Sequence, residues 1–357
     1  MAGSIGDRKS DHLTLCATED VGFRARSTLL EGVRLVHEAL PDLHADSIDL
    51  SCALFGKRLR APLLIAAMTG GTEEAGRVNR GLARIAEECG IAFGLGSQRA
   101  MHVRRASTDT YRVREVAPTT AVLGNLGVVQ AREMSTSEVQ DLVGQVQADA
   151  LCIHLNPAME MVQPGGDRDF SRGLETISRL AEALPVPVVV KETGCGLSRS
   201  TGERLQGASV RDVDVSGAGG TSWVGVETLR AGKAGDVAAQ NLGQAFWDWG
   251  IPTAASVAAL APLGFRTLIA TGGIATGLDV ARALVLGATH AGIARPMLRA
   301  FSEGGHEGAM ARLDGVLAEL RCAMLLTGSK DVATLRTARR IIVGELALWM
   351  DQGMVSR

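Results

Sequence analysis

Aromatic residues and excess positive charge are both scarce in this sequence. Phe, Trp and Tyr make up 3% of the 357 residues, and the formal net charge is -2. Proteins that bind nucleic acid need a basic surface for the phosphates and, for single strands, aromatic side chains on which the bases stack. The composition therefore argues against a nucleic-acid-binding protein.

The sequence also lacks paired cysteines and long apolar runs. The six cysteines are scattered, and none of them forms a C-x-x-C pair. This argues against a disulfide framework or a zinc site and favours a reducing compartment. We recognise no signal peptide and no apolar run of membrane-spanning length. We therefore expect a cytoplasmic protein that binds neither membrane nor nucleic acid.

Eight short apolar runs alternate with longer helical patterns. The runs are PLLIAAM, IAFGLG, AVLGNLG, ALCIHLN, VPVVVKE, VRDVDVSG, TLIATGG and HAGIARP. Amphipathic segments such as RVNRGLARIAEECG lie between most of them and are closed by Gly, as helices often are. Buried strands that alternate with helices predict a parallel sheet. Eight such units predict the α/β class and a (β/α)8 TIM barrel.

Two segments fall outside this alternation. Residues 1–60 precede the first predicted strand and are rich in polar and charged residues. Residues 222–250 follow the sixth strand and are predicted to form a long loop rich in Gly, Ala and Trp. Long loops after barrel strands commonly cover an active site. A docking or oligomer contact is an equally weighted alternative for this loop.

Polar or backbone-exposing residues follow every predicted strand. In a barrel, the C-terminal ends of the strands form the active-site face. The residues at these ends are Met68, Thr69, Ser97, Gln98, Arg99, Asn125, His154, Asn156, Glu160, Lys191, Glu192, Asp214, Ser216, Thr271, Gly272, Gly273, Ala294 and Arg295. Such groups at all eight strand ends indicate one binding or catalytic site on that face.

Glycine-rich segments after the sixth and seventh strands are predicted to hold an anion. DVSGAGGTS offers a run of backbone donors, and ATGGIATGLDVARAL places a glycine pair between a strand and a helix. Glycines let backbone N–H groups approach an anion, and a helix N-terminus adds a favourable dipole. With GIARP after the eighth strand, this is the usual phosphate position of phosphate-binding barrels. Plain tight turns are the alternative.

Lys191 ends the fifth strand, where the floor of such a site lies. A lysine there is suited to meet the electron-rich side of a flavin ring and to stabilise negative charge on a reduced one. The alternative is a buried lysine paired with an acid, and Asp214 is a possible partner.

These motifs together resemble the type 2 isopentenyl-diphosphate isomerases, the FMN-dependent family. The matching motifs are RKSDH, AAMTGG, GSQR, GNLG, HLNPAME with QPGGDRDF, VVVKETGCGLS, DVSGAGGT, ATGGI and GIARP, in one order from Arg8 to Arg295. TGGI alone recurs in other flavin barrels. The series RKSDH, MTGG, GSQR and HLNxxxE does not, and it makes the resemblance specific.

The resemblance implies an isomerase of isoprenoid biosynthesis that interconverts isopentenyl and dimethylallyl diphosphate. Its cofactors would be FMN, Mg2+ and NADPH as the reductant, and family members are often homo-oligomers, as tetramers or octamers. No side chain is a certain catalyst, because reduced FMN is the acid–base group. Residues 1–60 would form a substrate-clamp extension packed on an FMN-binding barrel of residues 61–357.

The resemblance also implies roles for individual residues. The flavin would be contacted by Ala67, Met68, Thr69, Ser97, Asn125, Lys191, Ser216 and Thr221. Its phosphate would be held by Gly272, Gly273, Ile274, Ala294 and Arg295. The substrate would be bound by Arg8, Lys9, Ser97, Gln98, Arg99, His154, Asn156 and Met159. Glu160 would bind Mg2+, which prefers oxygen ligands and keeps several waters.

The sequence departs from the family at Met159, where many members carry Gln. Three explanations compete. Flavin alone transfers the protons while Met159 packs against the prenyl tail, Gln163 reaches back to the site, or the substrate is altered. We favour the first explanation, because Asn156 and Glu160 keep their register and Met suits an apolar pocket.

Three further interpretations remain to be compared with the structure. His12 either positions the neighbouring Arg–Lys pair or caps a turn, and Asp167 and Arg168 form an ion pair that shapes their loop.

The alternative function is an FMN-dependent TIM-barrel oxidoreductase, such as an α-hydroxy-acid oxidase or dehydrogenase. Those enzymes should carry a His–Gly–x–Arg cluster after the sixth strand, and DVSGAGGT contains neither His nor Arg.

Overall fold

The computed structural model describes residues 5–103 and 105–353, with residues 5–8, 105, 106 and 353 described by their backbone alone. Its strands are β1 (Val33–Leu35), β2 (Cys52–Leu54), β3 (Lys57–Leu59), β4 (Leu63–Ile65), β5 (Ala92–Gly94), β6 (Val122–Gly127), β7 (Ala150–His154), β8 (Val188–Lys191), β9 (Asp212–Asp214), β10 (Thr267–Ala270), β11 (His290–Ile293) and β12 (Arg340–Ile342).

The α-helices surround these strands and fill the connections between them. They are α1 (Ile5–Thr18), α2 (Glu73–Cys89), α3 (Arg99–Val103), α4 (Val128–Glu133), α5 (Thr136–Val146), α6 (Pro157–Val162), α7 (Gly173–Ala183), α8 (Arg199–Gly207), α9 (Trp223–Lys233), α10 (Val237–Phe246), α11 (Thr253–Leu260), α12 (Gly277–Leu286), α13 (Arg295–Leu326), α14 (Val332–Arg336) and α15 (Glu345–Gly353). None of these helices has the length and apolar character needed to cross a membrane.

Strands β4 to β11 close into one parallel barrel in chain order. Each strand pairs with the next, and β11 pairs with β4 to complete the circle. These are the eight strands that the sequence predicts, so the (β/α)8 TIM barrel is confirmed. The strand β8, with the sequence VVVK, is buried along its whole length. A parallel strand meets helices on one face and the barrel interior on the other, so it has no solvent-facing side.

A small apolar core fills the barrel interior. It includes Leu64, Leu123 and Val189, and the hairpin β2–β3 adds Leu54 and Leu59 to the same cluster. The hairpin lies at the amino-terminal end of the barrel strands, since Cys52 contacts the first residue of β11. One end of the barrel is therefore covered by packing, and the carboxyl ends of the strands remain for a site.

The segment before the first barrel strand is fixed to the rest of the chain at two places. Strand β1 pairs antiparallel with β12 near the other end of the chain. Helix α1 packs against α2, α9 and α13. Arg295 and Arg299 donate to the carbonyl oxygens of Cys16, Ala17 and Glu19 at the end of α1. Guanidinium groups satisfy the free carbonyls of a helix C-terminus and complement its dipole.

The segment 222–250 is not the single long loop that the sequence suggests. It contains the helices α9 and α10, whose first turns are capped by Ser222 and Asp236. The two helices pack closely at Gly243, where a Cβ atom would overlap the Thr228 hydroxyl. Gly243 is therefore required for the packing of two helices, although glycine in a sequence usually indicates a loop. Trp247 is buried after α10, and its indole N–H donates to the carbonyl of Gly22.

Candidate active site

The carboxyl ends of β6 to β9 bring distant residues to one level. In the strand register, His154 lies opposite Gly127 on one side and Lys191 on the other. Lys191 in turn lies opposite Asp214. The short strands thus end in a ring of polar residues at the mouth of the barrel.

A cavity of about 560 Å3 opens at this mouth. The volume is typical of a site for a cofactor or small molecule. Among the predicted site residues it is lined by Lys9, Ala67, Met68, Thr69, Ser97, Arg99, Asn125, His154, Asn156, Met159, Glu160, Lys191, Ser216, Thr221, Gly272, Gly273, Ile274, Ala294 and Arg295. Arg8 belongs to α1, but its side chain lies outside the described part of the structure.

Gln98 does not reach this cavity with its side chain. It is fully buried, donates from Nε2 to the carbonyl of Leu142, and accepts from the backbone N–H of Asn125 at Oε1. The Gln98 amide therefore joins the turn after β5 to β6 and α5, and the predicted substrate contact from Gln98 stays a prediction. Its sequence neighbours Ser97 and Arg99 both line the cavity.

The glycine loops after β9 and β10 pack backbone against backbone. A Cβ atom at Gly220 would overlap the backbone of Gly273, and one at Gly272 would overlap the backbone of Gly217. Gly272 also has φ +97°, a conformation that L side chains rarely adopt. The close approach of these two loops at the cavity edge is therefore possible only without side chains at these positions.

Arg295 begins α13 at the same edge of the cavity. Its guanidinium is directed to α1, where Nε donates to the carbonyl of Cys16 at 3.1 Å. The side chain therefore anchors α1. In the first turn of α13, Pro296 has no N–H and the N–H of Met297 already donates to the carbonyl of Ala294 at 3.0 Å.

Lys191 forms no ion pair with Asp214 in the described structure, although the two are paired in the strand register. The Lys191 ammonium donates to the carbonyl of Glu192 at 2.6 Å. Asp214 accepts instead from the hydroxyl of Thr271 at 2.6 Å and from the N–H of Ser216 at 3.1 Å. Burial raises the pKa of Asp214, and the charge of Lys191 opposes that shift. The lysine charge is thus directed to the cavity floor.

His154 is held in one orientation by Asn125. The amide Nδ2 of Asn125 donates to the carbonyl of Leu95, so its Oδ1 faces His154 and accepts from Nδ1 at 2.8 Å. Burial, followed by the charges of Lys191 and Lys9, lowers the pKa of His154 to about 3. The imidazole is therefore neutral near pH 7, with Nε2 as its acceptor side.

Glu160 is buried, and three donors converge on its carboxylate. Asn156 Nδ2 donates to Oε1 at 2.9 Å, and Gln163 Nε2 donates to Oε2 at 3.0 Å. The backbone N–H of Asp167 donates to the same Oε2 at 2.8 Å. The donors fix the orientation of the carboxylate at the cavity wall beside Met159.

Asp167 pairs with Arg99 and not with Arg168 as the sequence predicts. Its Oδ2 lies 3.8 Å from Arg99 Nη1 and accepts a hydrogen bond from Gln130 Nε2 at 2.7 Å. Arg168 instead donates to the backbone carbonyl of Glu160. The predicted ion pair between Asp167 and Arg168 is wrong, because the loop turns the two side chains in different directions.

Glu227, which anchors α1 beside the cavity, is a residue that the sequence analysis does not predict. Its fully buried carboxylate lies 2.6 Å from His12 Nε2 and 2.7 Å from Arg230 Nη1. Burial would raise the pKa of Glu227, but His12 and Arg230 outweigh it and hold the pKa below its ordinary value. His12 therefore lies within α1 as a hydrogen-bond partner of Glu227. No strand-end pattern points to Glu227, because it lies on a helix inside a segment that the sequence predicts to be a loop.

The cavity wall fits a polar ligand and is not a preformed metal centre. Three buried side-chain oxygens on this wall have no hydrogen-bond partner in the structure described: Thr69 Oγ1, Gln163 Oε1 and Thr193 Oγ1. Buried polar atoms are normally satisfied, so such atoms point to a missing partner. Within the described residues, no group of three or more His, Cys, Asp or Glu side chains is arranged to hold a metal. A cation here would need ligand oxygens besides those of Glu160.

The fold and the sequence together place the chain among the FMN-dependent (β/α)8 barrels. The sequence profile of the FMN-dependent dehydrogenase family matches residues 4–158 and 155–341. The chain belongs to the isopentenyl-diphosphate delta-isomerase family. An isopentenyl-diphosphate delta-isomerase of Methanosarcina barkeri is 45% identical over 353 residues, which cover 99% of this chain and 96% of that protein. One from Nostoc sp. is 43% identical over 334 residues, with 92% and 93% covered. The protein is accordingly an isomerase.

Solved structures of flavin oxidoreductases share the fold. A flavocytochrome b2 variant with sulfite bound has a TM-score of 0.68 and 19% identity, covering 92% of this chain and 81% of that chain. A mandelate oxidase variant with an FMN adduct has a TM-score of 0.63 and 18% identity, covering 92% and 95%. These likenesses concern the fold alone. The oxidoreductase alternative thus has fold-level support, whereas the isomerase family has full-length sequence support.

Proposed function

We propose that the protein converts isopentenyl diphosphate to dimethylallyl diphosphate by a 1,3-allylic proton shift. The reaction would use reduced FMN, Mg2+ and NADPH as the reductant, in isoprenoid biosynthesis. The observation that carries this proposal is the two-ended cavity. Glycine loops after β9 and β10 border one side of the cavity, and β7 with the following helix α6 brings His154 and Glu160 to another side. A phosphorylated cofactor and a diphosphate substrate require two such anion sites.

The diphosphate end of the cavity would be formed by Lys9, Arg99 and His154. Arg matches phosphate oxygens with a fork of N–H groups, and Lys supplies a point charge. Lys9 is already directed to this end, since its ammonium donates to the carbonyl of Ser97 at 3.1 Å. Because burial lowers the pKa of His154 to about 3, its Nε2 would donate to a diphosphate oxygen only if the bound anion raised that pKa enough to add a second proton. We expect Arg8 and Asn156 to complete the clamp.

Glu160 would supply a protein oxygen to Mg2+ at the same end. Mg2+ keeps several waters and is commonly bound by one or two carboxylates together with substrate phosphates. The hydrogen bonds from Asn156, Gln163 and the Asp167 N–H support this role, because they hold the carboxylate in one orientation at the cavity wall. The proposal accounts for a metal requirement without a cluster of protein ligands.

The chain's own residues would hold and tune the cofactor. When bound, reduced FMN supplies an acid–base group and an electron-rich ring for a reaction that removes one proton and delivers another. Thr69, Asn125 and Ser216 line the cavity where the ring would be bonded, and Lys191 would stabilise negative charge on it. Gly272, Gly273, Ile274, Ala294 and the backbone of Arg295 would hold the phosphate.

The helix α1 supports the proposal as a cover over the cavity. Lys9, His12, Leu13 and Cys16 of this helix line it. Excluding water from the site strengthens the electrostatic contacts there and protects a cation-like transition state. The pairing of His12 with the buried Glu227 holds the cover to α9.

The proposal is tested by assay of the purified, FMN-loaded protein. With NADPH and Mg2+ under anaerobic conditions, we expect isopentenyl diphosphate to be converted to dimethylallyl diphosphate, measured by NMR. Omission of the reductant or of Mg2+ should abolish turnover. A folded, yellow protein without conversion would overturn the proposed substrate, and oxidation of α-hydroxy acids would favour the oxidoreductase alternative.

Met159 gives a second prediction, because it occupies the cavity wall where many family members carry Gln. If the chain needs no amide there for proton transfer, Met159→Gln should leave kcat within about tenfold of the natural protein, or raise it. General acid–base groups typically contribute about 100-fold or more to the rate. If the natural protein lacks such a group at this position, Met159→Gln should therefore raise kcat by more than about tenfold. A collapse of kcat with normal FMN content would contradict the packing role of Met159.

We further propose that the protein is cytoplasmic and forms a homo-oligomer, a tetramer or octamer. Six unpaired cysteines support a reducing compartment. Exposed apolar side chains on α10 and after it, at Val237, Phe246 and Trp249, support a contact surface. Light scattering after size-exclusion chromatography would give the number of subunits, and a monomer at assay concentration would contradict the proposal.

A further inference from the structure

We propose that Asp167 is a positioning residue that joins the two halves of the substrate site. Its carboxylate holds Arg99, and its backbone N–H holds Glu160. The inference rests on the proposed function, because it assigns to Arg99 a diphosphate contact and to Glu160 a cation.

The contact between Asp167 and Arg99 is an ion pair and not a hydrogen bond. The distance of 3.8 Å between Oδ2 and Nη1 exceeds hydrogen-bond length. The guanidinium is oriented by the negative charge while its N–H groups remain available to a ligand. Among the described residues, the Arg99 side chain donates no hydrogen bond, and its polar contact is the ion pair with Asp167. Asp167 therefore directs Arg99 without consuming the donors that a phosphate needs.

Gln130 makes this arrangement rigid. Its Nε2 donates to Asp167 Oδ2 at 2.7 Å, the same oxygen that faces Arg99. Side chains of Arg99 and Asp167 are 33% and 23% exposed. An ion pair at that exposure is weak by itself, because solvent screens it and both side chains lose freedom. The fixed amide of Gln130 reduces that loss for Asp167.

Two glycines bring the backbone of Asp167 to Glu160. Gly165 has φ +67°, and a Cβ atom at Gly166 would overlap the carbonyl of Glu160. The loop can therefore fold back on the end of α6, where the Asp167 N–H donates to Glu160 Oε2 at 2.8 Å. Arg168 holds the same turn by donating to the Glu160 carbonyl. A displacement of this residue would shift both the arginine and the carboxylate.

The test measures binding of inorganic pyrophosphate to the FMN-loaded protein by calorimetry, with Mg2+ present. The variants are Asp167→Asn, Arg99→Ala and the double variant. Asp169→Asn is the matched control, because Asp169 lies in the same loop but pairs with Arg132 and is 66% exposed. We expect Asp167→Asn to weaken binding about tenfold, a typical size for coupled contacts. The double variant should bind no more weakly than Arg99→Ala, and Asp169→Asn should bind normally.

Other results would overturn the inference in distinguishable ways. Normal or tighter binding by Asp167→Asn would mean that the carboxylate only competes with the anion for Arg99. Additive losses in the double variant, or a loss of FMN from Asp167→Asn, would mean a general structural role. If Arg99→Ala binds pyrophosphate normally, the diphosphate clamp of the proposed function fails as well. If Asp167→Asn does not fold, Gln130→Ala tests the same support. It should weaken pyrophosphate binding less than about tenfold, and it should weaken binding no further when it is combined with Arg99→Ala.

Discussion

Replacing Glu160 by Gln is expected to weaken Mg2+ activation and to lower kcat by roughly 100-fold or more. The change removes the negative charge that would face the cation, and metal contacts to a reacting phosphate ester contribute several kcal/mol. Asn156, Gln163 and the Asp167 N–H all donate to this carboxylate. The new NH2 group would therefore face at least one hydrogen-bond donor, and that donor would lose its acceptor. The measurement is turnover against Mg2+ concentration, together with Mn2+ binding followed by electron paramagnetic resonance.

Glu175→Gln is the matched control for this prediction. Glu175 pairs with Arg172 on an exposed helix surface and does not line the cavity. Surface ion pairs contribute little to stability, so this variant should behave as the natural protein does. If Glu160→Gln retains FMN, unfolds at the same temperature and shows unchanged Mn2+ binding, Glu160 does not bind the metal. A lower melting temperature with unchanged metal affinity would assign it a structural role.

The barrel was predictable because its strands carry a strong local signal. The run VPVVV, which precedes Lys191, is apolar and rich in β-branched residues, a composition typical of a strand buried on both faces. The elements that were not predicted are those whose residues are selected by contacts with segments far away in the sequence. Strands β1 and β12 have three residues each and pair across most of the chain length. Helix α10 contains Gly243, which argues locally against a helix and is needed for contact with Thr228.

The site followed from one geometric rule, and its errors follow from the limits of that rule. Residues at strand ends share the mouth of the barrel, so Lys191 and His154 could be brought together without knowledge of side-chain directions. Gln98 shows the limit, because it lies in the turn directly before α3 and its amide faces α5. Glu227 comes from a helix outside the rule. The resemblance to a family supplied the roles, which strand ends alone do not distinguish.

Asp167 illustrates why pairs are harder to predict than positions. Its sequence neighbour Arg168 is the obvious partner, but neighbouring side chains in a turn often diverge. The partner in the structure, Arg99, comes from the end of a different barrel strand. Only the closed order of β4 to β11 brings these two loops together. Sequence patterns place the loops on one face, and the fold decides which charges meet.

The last prediction is that Gly272→Ala prevents FMN binding. A methyl group at this position would overlap the backbone of Gly217, and the backbone has φ +97°, which costs about 1–3 kcal/mol for a residue with a Cβ. The loops after β9 and β10 must then separate, so their N–H groups no longer converge on a phosphate. We expect flavin content per chain, measured by absorbance at saturating FMN, to fall at least about tenfold, with a lower melting temperature.

Two further variants separate backbone crowding from a general effect of losing glycine. Gly220→Ala should lose FMN as well, because its methyl group would overlap the backbone of Gly273 from the facing loop. Gly144→Ala is the control: it lies in α5 with no atom near the added methyl group, and alanine there favours the helix. That variant should bind FMN normally and melt at the same or a higher temperature. Normal flavin content in Gly272→Ala would show that the phosphate of FMN does not depend on the close approach of these two loops.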